Sequence, residues 1–260
     1  RALGGSSSIN GMVYARGNKR DYDDWANKAG CKGWSYREVL PYFIRSENNE
    51  TFRDDPLHGT EGPLNVSRLK KPNKMLDLLF ESTDAMQIPR RVDFNDGDQE
   101  GFGERQVTIK NGRRWSAAKA YLDPVRKRPN LTIMTGALAD KVVIESGRAT
   151  GMEILQGGQR KTISASKEIL ISCGAIVSPA LLMRSGIGAP EELKQHGIDT
   201  ISAVPGVGKN LQDHVAASIV TKTSSIMGYG ISFTAIPKLA WQGLDYIFNR
   251  AGMVASNVNE

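Results

Sequence analysis

The residues best suited to chemistry stand at the start of the chain, in Gly4-Gly5-Ser6-Ser7-Ser8-Ile9-Asn10. Two adjacent glycines let the backbone approach a ligand closely and take positive φ values that a Cβ would oppose. The three serines behind them are small enough to leave that approach open, and serine is a good helix cap. A turn of this kind running into a helix aims several N–H groups at one point, which suits an anion such as a pyrophosphate. The same pattern fits a plain Gly/Ser loop, so its meaning depends on what lies downstream. The groups best suited to acid–base work at neutral pH are three histidines, His58, His196 and His214. His196 stands near the end of a predicted helix, where a cation complements the dipole. His214 lies in an Asn-Leu-Gln-Asp-His turn and reads as a structural hydrogen-bonding residue. His58 reads as an exposed loop residue. None of the three is assigned as a catalytic base.

The elements that position these residues read as mixed α/β. Residues 19–29 are expected to form a short helix. Ser35, with Glu38 three residues on, has the spacing of a capping box, and Pro41 predicts a kink or break in the helix that follows. Residues 48–72 are polar and loop-like up to a strand at Leu64–Ser67, and 73–88 carry helical apolar spacing. The Asp-, Asn- and Gly-rich run 93–116 reads as a long excursion over a surface or a site. Ser116 is expected to open a helix over 117–122. From 131 the period becomes two, predicting strands at 131–135, 141–145, 149–155 and 160–164. The apolar run Glu168–Ser172 resembles a buried parallel strand. Ser178 is expected to cap the next helix with Pro179 in its first turn, and Gly186 to close it. A short helix from Pro190 to Gly197 and a strand over 198–204 complete the reading.

Composition bounds the function. The chain has 260 residues, 40% hydrophobic and 24% charged, enough for one large domain or two ordinary ones. The formal charge is +6, but the basic residues fall in short groups such as Arg126-Lys127-Arg128, interleaved with acids. A solvated surface is therefore expected, not a nucleic-acid face. Cys31 and Cys173 have neither metal-ligand spacing nor a disulfide framework, which suits a reducing compartment. No apolar run approaches the ~18 residues of a membrane span. A cytoplasmic setting is expected, with membrane association left open. Arg1 is not an initiator Met, and the chain is read as an internal fragment of a longer protein.

Several stretches together resemble the glucose–methanol–choline family of flavin-dependent oxidoreductases. They are Leu3–Gly11 continuing to Tyr14, Arg16-Gly17 and Asp21–Trp25; His58-Gly59-Thr60-Glu61-Gly62-Pro63-Leu64; Arg128–Thr132; Gly174–Gly188; and Pro205–His214. The likeness runs over nearly the whole chain and looks like the choline dehydrogenase branch. It implies an FAD/NAD(P)-binding α/β domain lacking its first βαβ unit, here residues 1–215, with residues 216–260 starting a mixed-sheet substrate domain. By position, Ala2, Gly4, Gly5, Ser6 and Ser7 would lie along the pyrophosphate and ribityl chain of FAD. Asn10, Gly11, Met12 and Val13 would lie beside the isoalloxazine ring. Ala139 matches a backbone position at the adenine, and Gly174 and Ala175 match the turn near the adenosine half. Some relatives bond flavin to a histidine in the first motif. Ile9 stands at that place, which implies non-covalent FAD.

The resemblance also implies the activity. An alcohol, choline or a related primary alcohol, would lose a hydride to flavin N5, and the electrons would pass to a quinone, another carrier or oxygen. The family's G-x-G-x-x-G turn would precede Arg1 and its catalytic histidine would follow Glu260, so the fragment alone is expected to be inactive. Glu260 is the candidate partner for a quaternary ammonium substrate, because a buried carboxylate seeks a cation. Another alcohol, and a flavin-containing lyase without redox turnover, remain open as readings. So does a basic binding module, which predicts strongly salt-dependent nucleic-acid affinity.

Overall fold

The computed structural model describes residues 2–215, 217 and 233–256. The chain divides into two compact units, Arg1–Leu131 with Lys222–Glu260, and Thr132–Thr221.

In the first unit the opening turn leads to strand β1 (Val13–Tyr14) and helix α1 (Lys19–Asn27). Asn18 caps α1, its side-chain oxygen accepting from the Arg20 N–H at 3.0 Å. Helix α2 (Tyr36–Ser46) begins at the expected Ser35, whose N–H and hydroxyl both donate to Glu38 Oε2 at 3.0 and 2.6 Å. The break expected at Pro41 is absent. The helix runs through it, forgoing one N–H···O bond, while Tyr22 of α1 packs edge-on against Phe43 and holds the two helices together.

Strand β2 (Glu47–Asn49) follows at once and pairs in parallel with β3 (Leu64–Val66). The loop between them folds tightly back. A Cβ on Gly59 would stand 1.8 Å from Ile44 O, and one on Gly62 would stand 2.3 Å from the Ser46 carbonyl carbon. Helix α3 (Met75–Ala85) realises the apolar spacing read over 73–88. Strand β4 (Gln106–Val107) pairs antiparallel with β1 and also exchanges two bonds with Ser67, joining the small sheets. A hairpin of β5 (Ile109–Lys110) and β6 (Arg113–Arg114) leads to the expected helix after Ser116, which is a π-turn at Ala118–Leu122. Val66, Val107 and Ile109 form the apolar heart of this unit, yet Glu47, Asn49, Asn65 and Gln106 are buried beside them.

The second unit is built on the antiparallel meander β7 (Ala137–Glu145), β8 (Arg148–Gln156) and β9 (Gln159–Ser164), matching three of the four strands read from alternation. No strand forms at 131–135. The run Glu168–Ser172 is not a strand either: no described segment supplies a ladder for it, and Leu170 is 81% exposed. Helix α4 (Gly174–Arg184) starts four residues before the expected cap. Ser178 Oγ accepts from the Cys173 N–H at 3.0 Å from inside the helix, and Pro179 stands in the interior. Gly186 closes the helix at φ 81°, as expected. Leu181 is buried, and the Val142 N–H of β7 donates to Ser185 Oγ at 2.9 Å. Strands β10 (Ile187–Gly188) and β11 (Ser202–Ala203) pair in parallel around helix α5 (Pro190–Gln195), whose Leu193 is fully buried.

Helix α6 (Ile236–Asn249) belongs to the first unit, where Asp245 pairs with Lys71 at 2.8 Å. Among the described residues no helix is long and apolar enough to cross a membrane.

Candidate functional site

The opening loop is shaped from within. Gly5–Ser8 makes one 3-10 turn, entered through Gly4 at φ 88° and Gly5 at φ 59°, a region that strains any side chain. A Cβ on Gly4 would also stand 2.6 Å from Ser8 Oγ, whereas nothing lies within 4 Å of that place on Gly5. The bare face of Gly5 is open to a ligand. The serine hydroxyls set the turn: Ser7 Oγ donates to Gly4 O at 2.6 Å and accepts from the Ala117 N–H at 2.9 Å, and Ser8 Oγ donates to Leu3 O at 2.7 Å. Arg114 then clamps the far side, Nη1 donating to Ser7 O, Asn10 O and Asn10 Oδ1 at 3.1, 2.7 and 2.9 Å. Asn10 Oδ1 accepts from the Met12 N–H at 3.1 Å, an Asx-turn that carries Met12 through φ 59°. Met12 O accepts from the Thr108 N–H at 2.8 Å, so the loop passes straight into the β1–β4 pair.

Behind that strand lies a buried charge network. Arg16 Nη2 donates to Glu47 Oε2 at 2.7 Å, and Glu47 is 0% exposed. His58, expected on the surface, is 5% exposed. Its Nδ1 is 2.9 Å from Glu47 Oε1 and its Nε2 is 2.7 Å from Asp93 Oδ2. A carboxylate only accepts, so a ring flanked by two of them keeps both bonds only with both nitrogens protonated. Burial alone would lower the His58 pKa, but the bonds to Asp93 and Glu47 and their charges outweigh it and push it up to about 9. Burial would likewise raise the two carboxyls, but the bonds from His58 hold both below the usual range, helped by Asn49 at Glu47 and the Asn95 N–H at Asp93. Burial, with the Glu47 charge beyond, pushes the Tyr14 phenol up to about 12.

The sequence profile of the GMC oxidoreductases matches residues 1–216 of the chain. The chain belongs to that family. Among its relatives, the oxygen-dependent choline dehydrogenase of Brucella anthropi is 44% identical over 257 residues, which is 99% of this chain and 46% of that protein. An alcohol dehydrogenase [acceptor] of Pseudomonas putida is 42% identical over 262 residues, covering 100% of this chain and 47% of that protein. Among solved structures, an FAD-dependent oxidoreductase from Chaetomium thermophilum superposes with a TM-score of 0.84 at 29% identity, over 96% of this chain and 46% of that one. The chain spans about half the length of the curated relatives it matches. These likenesses bear out the family and the α/β class read from the sequence.

Within this GMC chain the residues marked for a cofactor fall in two places. Ala2, Gly4, Gly5, Ser6, Ser7, Asn10, Gly11, Met12 and Val13 lie together on the opening turn and the strand it enters, in the first unit. Ala139 lies in β7, and Gly174 and Ala175 open α4, in the second unit. Gly174 has φ 88° and nothing within 4 Å of a Cβ's place. Ala175 lines a cleft of about 500 Å³ with Ile176, Pro179, Met183, Gly208 and Leu211. Glu260 lies outside the described residues. His196 ends α5 and His214 is exposed. Sequence reasoning missed Arg114, whose role is visible only once 104 residues of separation are closed, and the Arg16–Glu47–His58–Asp93 network. A signal for the network existed, because Arg16 and His58 both stand in stretches that carry the family resemblance.

Proposed function

We propose that this chain is the FAD-binding part of an oxidoreductase acting on the CH–OH group of an alcohol, choline or a related primary alcohol. The reaction class is hydride transfer from the carbinol carbon to N5 of the flavin, with the electrons leaving to oxygen, a quinone or another carrier. The observation that carries it is the 44% identity to a choline dehydrogenase across 99% of the chain, resting on a Gly-Ser turn built to admit a ligand at Gly5.

The residues present fit the cofactor. Gly5 and Gly174 each leave open space where a Cβ would stand, as a diphosphate or ring edge requires. FAD, when bound, supplies the hydride acceptor. The chain's own part is to bind and orient it. Ser7 and Arg114 fix the turn, so that its N–H groups need not reorganise when a ligand arrives. The β1–β4 pair presents Met12 and Val13 on a fixed backbone. Ile9 is 81% exposed and offers no nucleophile, in keeping with non-covalent FAD. The proposal assigns residues 1–215 to the cofactor domain, 216–260 to the start of the substrate domain, and Glu260 to an ammonium-bearing substrate. It sets the protein in the cytoplasm, with membrane association as the alternative outcome of cell fractionation.

The test uses the full-length flavoprotein kept free of oxygen. Choline, and separately a simple aliphatic alcohol, are added while the flavin band near ~450 nm is followed. Bleaching by choline is the expected result. Bleaching only by the other alcohol keeps the oxidoreductase and removes choline. A band that neither alcohol changes overturns the redox reading and favours a flavin-containing lyase.

A further inference from the structure

We infer that His58, as an imidazolium, is a positioning residue: its charge balances Glu47 and Asp93 so that Arg16 and Gln106 hold the strand Met12–Tyr14 in one register against the cofactor. The inference rests on the reading of that strand as flavin-facing.

Four buried charged groups meet, two cations and two anions, and their charges cancel. Arg16 and His58 divide the two oxygens of Glu47 between them, and His58 spends its second nitrogen on Asp93. A neutral imidazole would leave two carboxylates sharing one guanidinium, a buried net negative charge that is costly. The charged groups facing His58 are Glu47 on β2 and Asp93 on the loop before β4, with Arg16 behind both. Asn49 at 3.1 Å and the Phe52 ring at 5.2 Å fill the remaining sides. His58 therefore has no free nitrogen and no open path to a substrate, which separates it from a catalytic base.

Its reach to the strand is short. Asp93 Oδ1 accepts from Gln106 Nε2 at 2.8 Å, and Gln106 is the β-partner of Tyr14. The same oxygen accepts from the Asn95 N–H at 2.9 Å. Asn95 Oδ1 in turn accepts from the Arg16 N–H at 2.7 Å. Asn49 bridges Glu47 and Gln106 at 2.8 and 2.7 Å. With the direct link through Glu47 to Arg16, four hydrogen-bonded routes thus run from one imidazolium to the two ends of the segment Tyr14–Arg16. If the carboxylates lose their cation, these routes are what must rearrange.

The test compares the full-length flavoprotein with His58→Gln and with the double variant His58→Gln/Asp93→Asn, which restores neutrality. His58→Gln is expected to lower Tm by ~10 °C and to speed thermal flavin release at least ~tenfold, and adding Asp93→Asn to recover more than half of both. A double variant worse than the single overturns the charge-balance argument. Independently, the visible circular dichroism of the bound flavin in the unaltered protein is followed from about pH 7 to about pH 10. A single transition that is absent in the double variant is expected, and a flat trace overturns the coupling to the cofactor. That trace decides the matter if His58→Gln does not fold. If the unaltered protein holds no flavin, the reading of the site falls, while the Tm comparison still judges the charge balance.

Discussion

At the scale of single residues, burial and partners outweigh residue type. His58 stands in a polar, Gly-rich stretch that reads as surface, yet it is enclosed by carboxylates 11 and 35 residues away in the chain. The sign of its effect on stability follows from the raised pKa. The stabilisation is fully present below the ordinary imidazole value and is lost as pH rises through about 9. The depressed carboxyls of Glu47 and Asp93 act oppositely, giving stability above the ordinary carboxylate range that is lost on acidification. Thermal unfolding against pH should therefore show a plateau with a fall on each side, and the alkaline fall should vanish in His58→Gln. Gly59 gives a sharper prediction. A Cβ there meets backbone, so Gly59→Ala should cost at least ~3 kcal/mol, while Gly30→Ala, with open space and φ 70°, should cost only ~1 kcal/mol of backbone strain. Urea unfolding of the two variants measures the difference.

At the scale of elements, what was legible was what is local. The Ser35–Glu38 cap, the Gly186 closure of α4 and the β7–β9 alternation each need only a few neighbouring residues, and each appears where its chemistry puts it. Features that depend on distant partners were not legible. Glu168–Ser172 has the composition of a buried strand, but a strand exists only where another takes its hydrogen bonds. Pro41 reads as a kink or break and Pro179 as a first-turn residue, yet both stand inside helices that run past them. The opening turn was legible as a turn, because two glycines advertise it, but its clamp was not. Arg114 on β6 makes three bonds to that turn. Arg114→Ala should weaken flavin binding about tenfold or more with the fold retained, and Arg114→Lys should restore part of it, since all three bonds converge on one nitrogen and an ammonium carries three donors. Flavin fluorescence titration reads the loss. Ser35→Ala, by contrast, should cost ~1 kcal/mol of stability and leave flavin binding unchanged.

At the scale of the whole molecule, composition excluded more than it identified, and the family followed from short stretches spread across the chain. The +6 charge says little about partners because it is dispersed. The residues that the sequence reading assigned to one cofactor domain fall in two compact units. The opening turn sits in a unit with a strongly polar interior, while Ala139, Gly174 and Ala175 sit on a conventional meander with a helix against it. Residues 1–260 expressed alone should give no alcohol turnover, and a turnover assay with a dye acceptor checks this.

The pairing of Met12–Tyr14 with Gln106–Thr108 also sets a clock on the ribosome. The strand that leads out of the opening turn has no partner until more than ninety further residues have been made. At ordinary rates of synthesis that delay is roughly 5–20 s, during which the turn is unset. Productive capture of a cofactor belongs after that interval, so a nascent chain stalled before β4 should emerge empty whatever the concentration of free flavin.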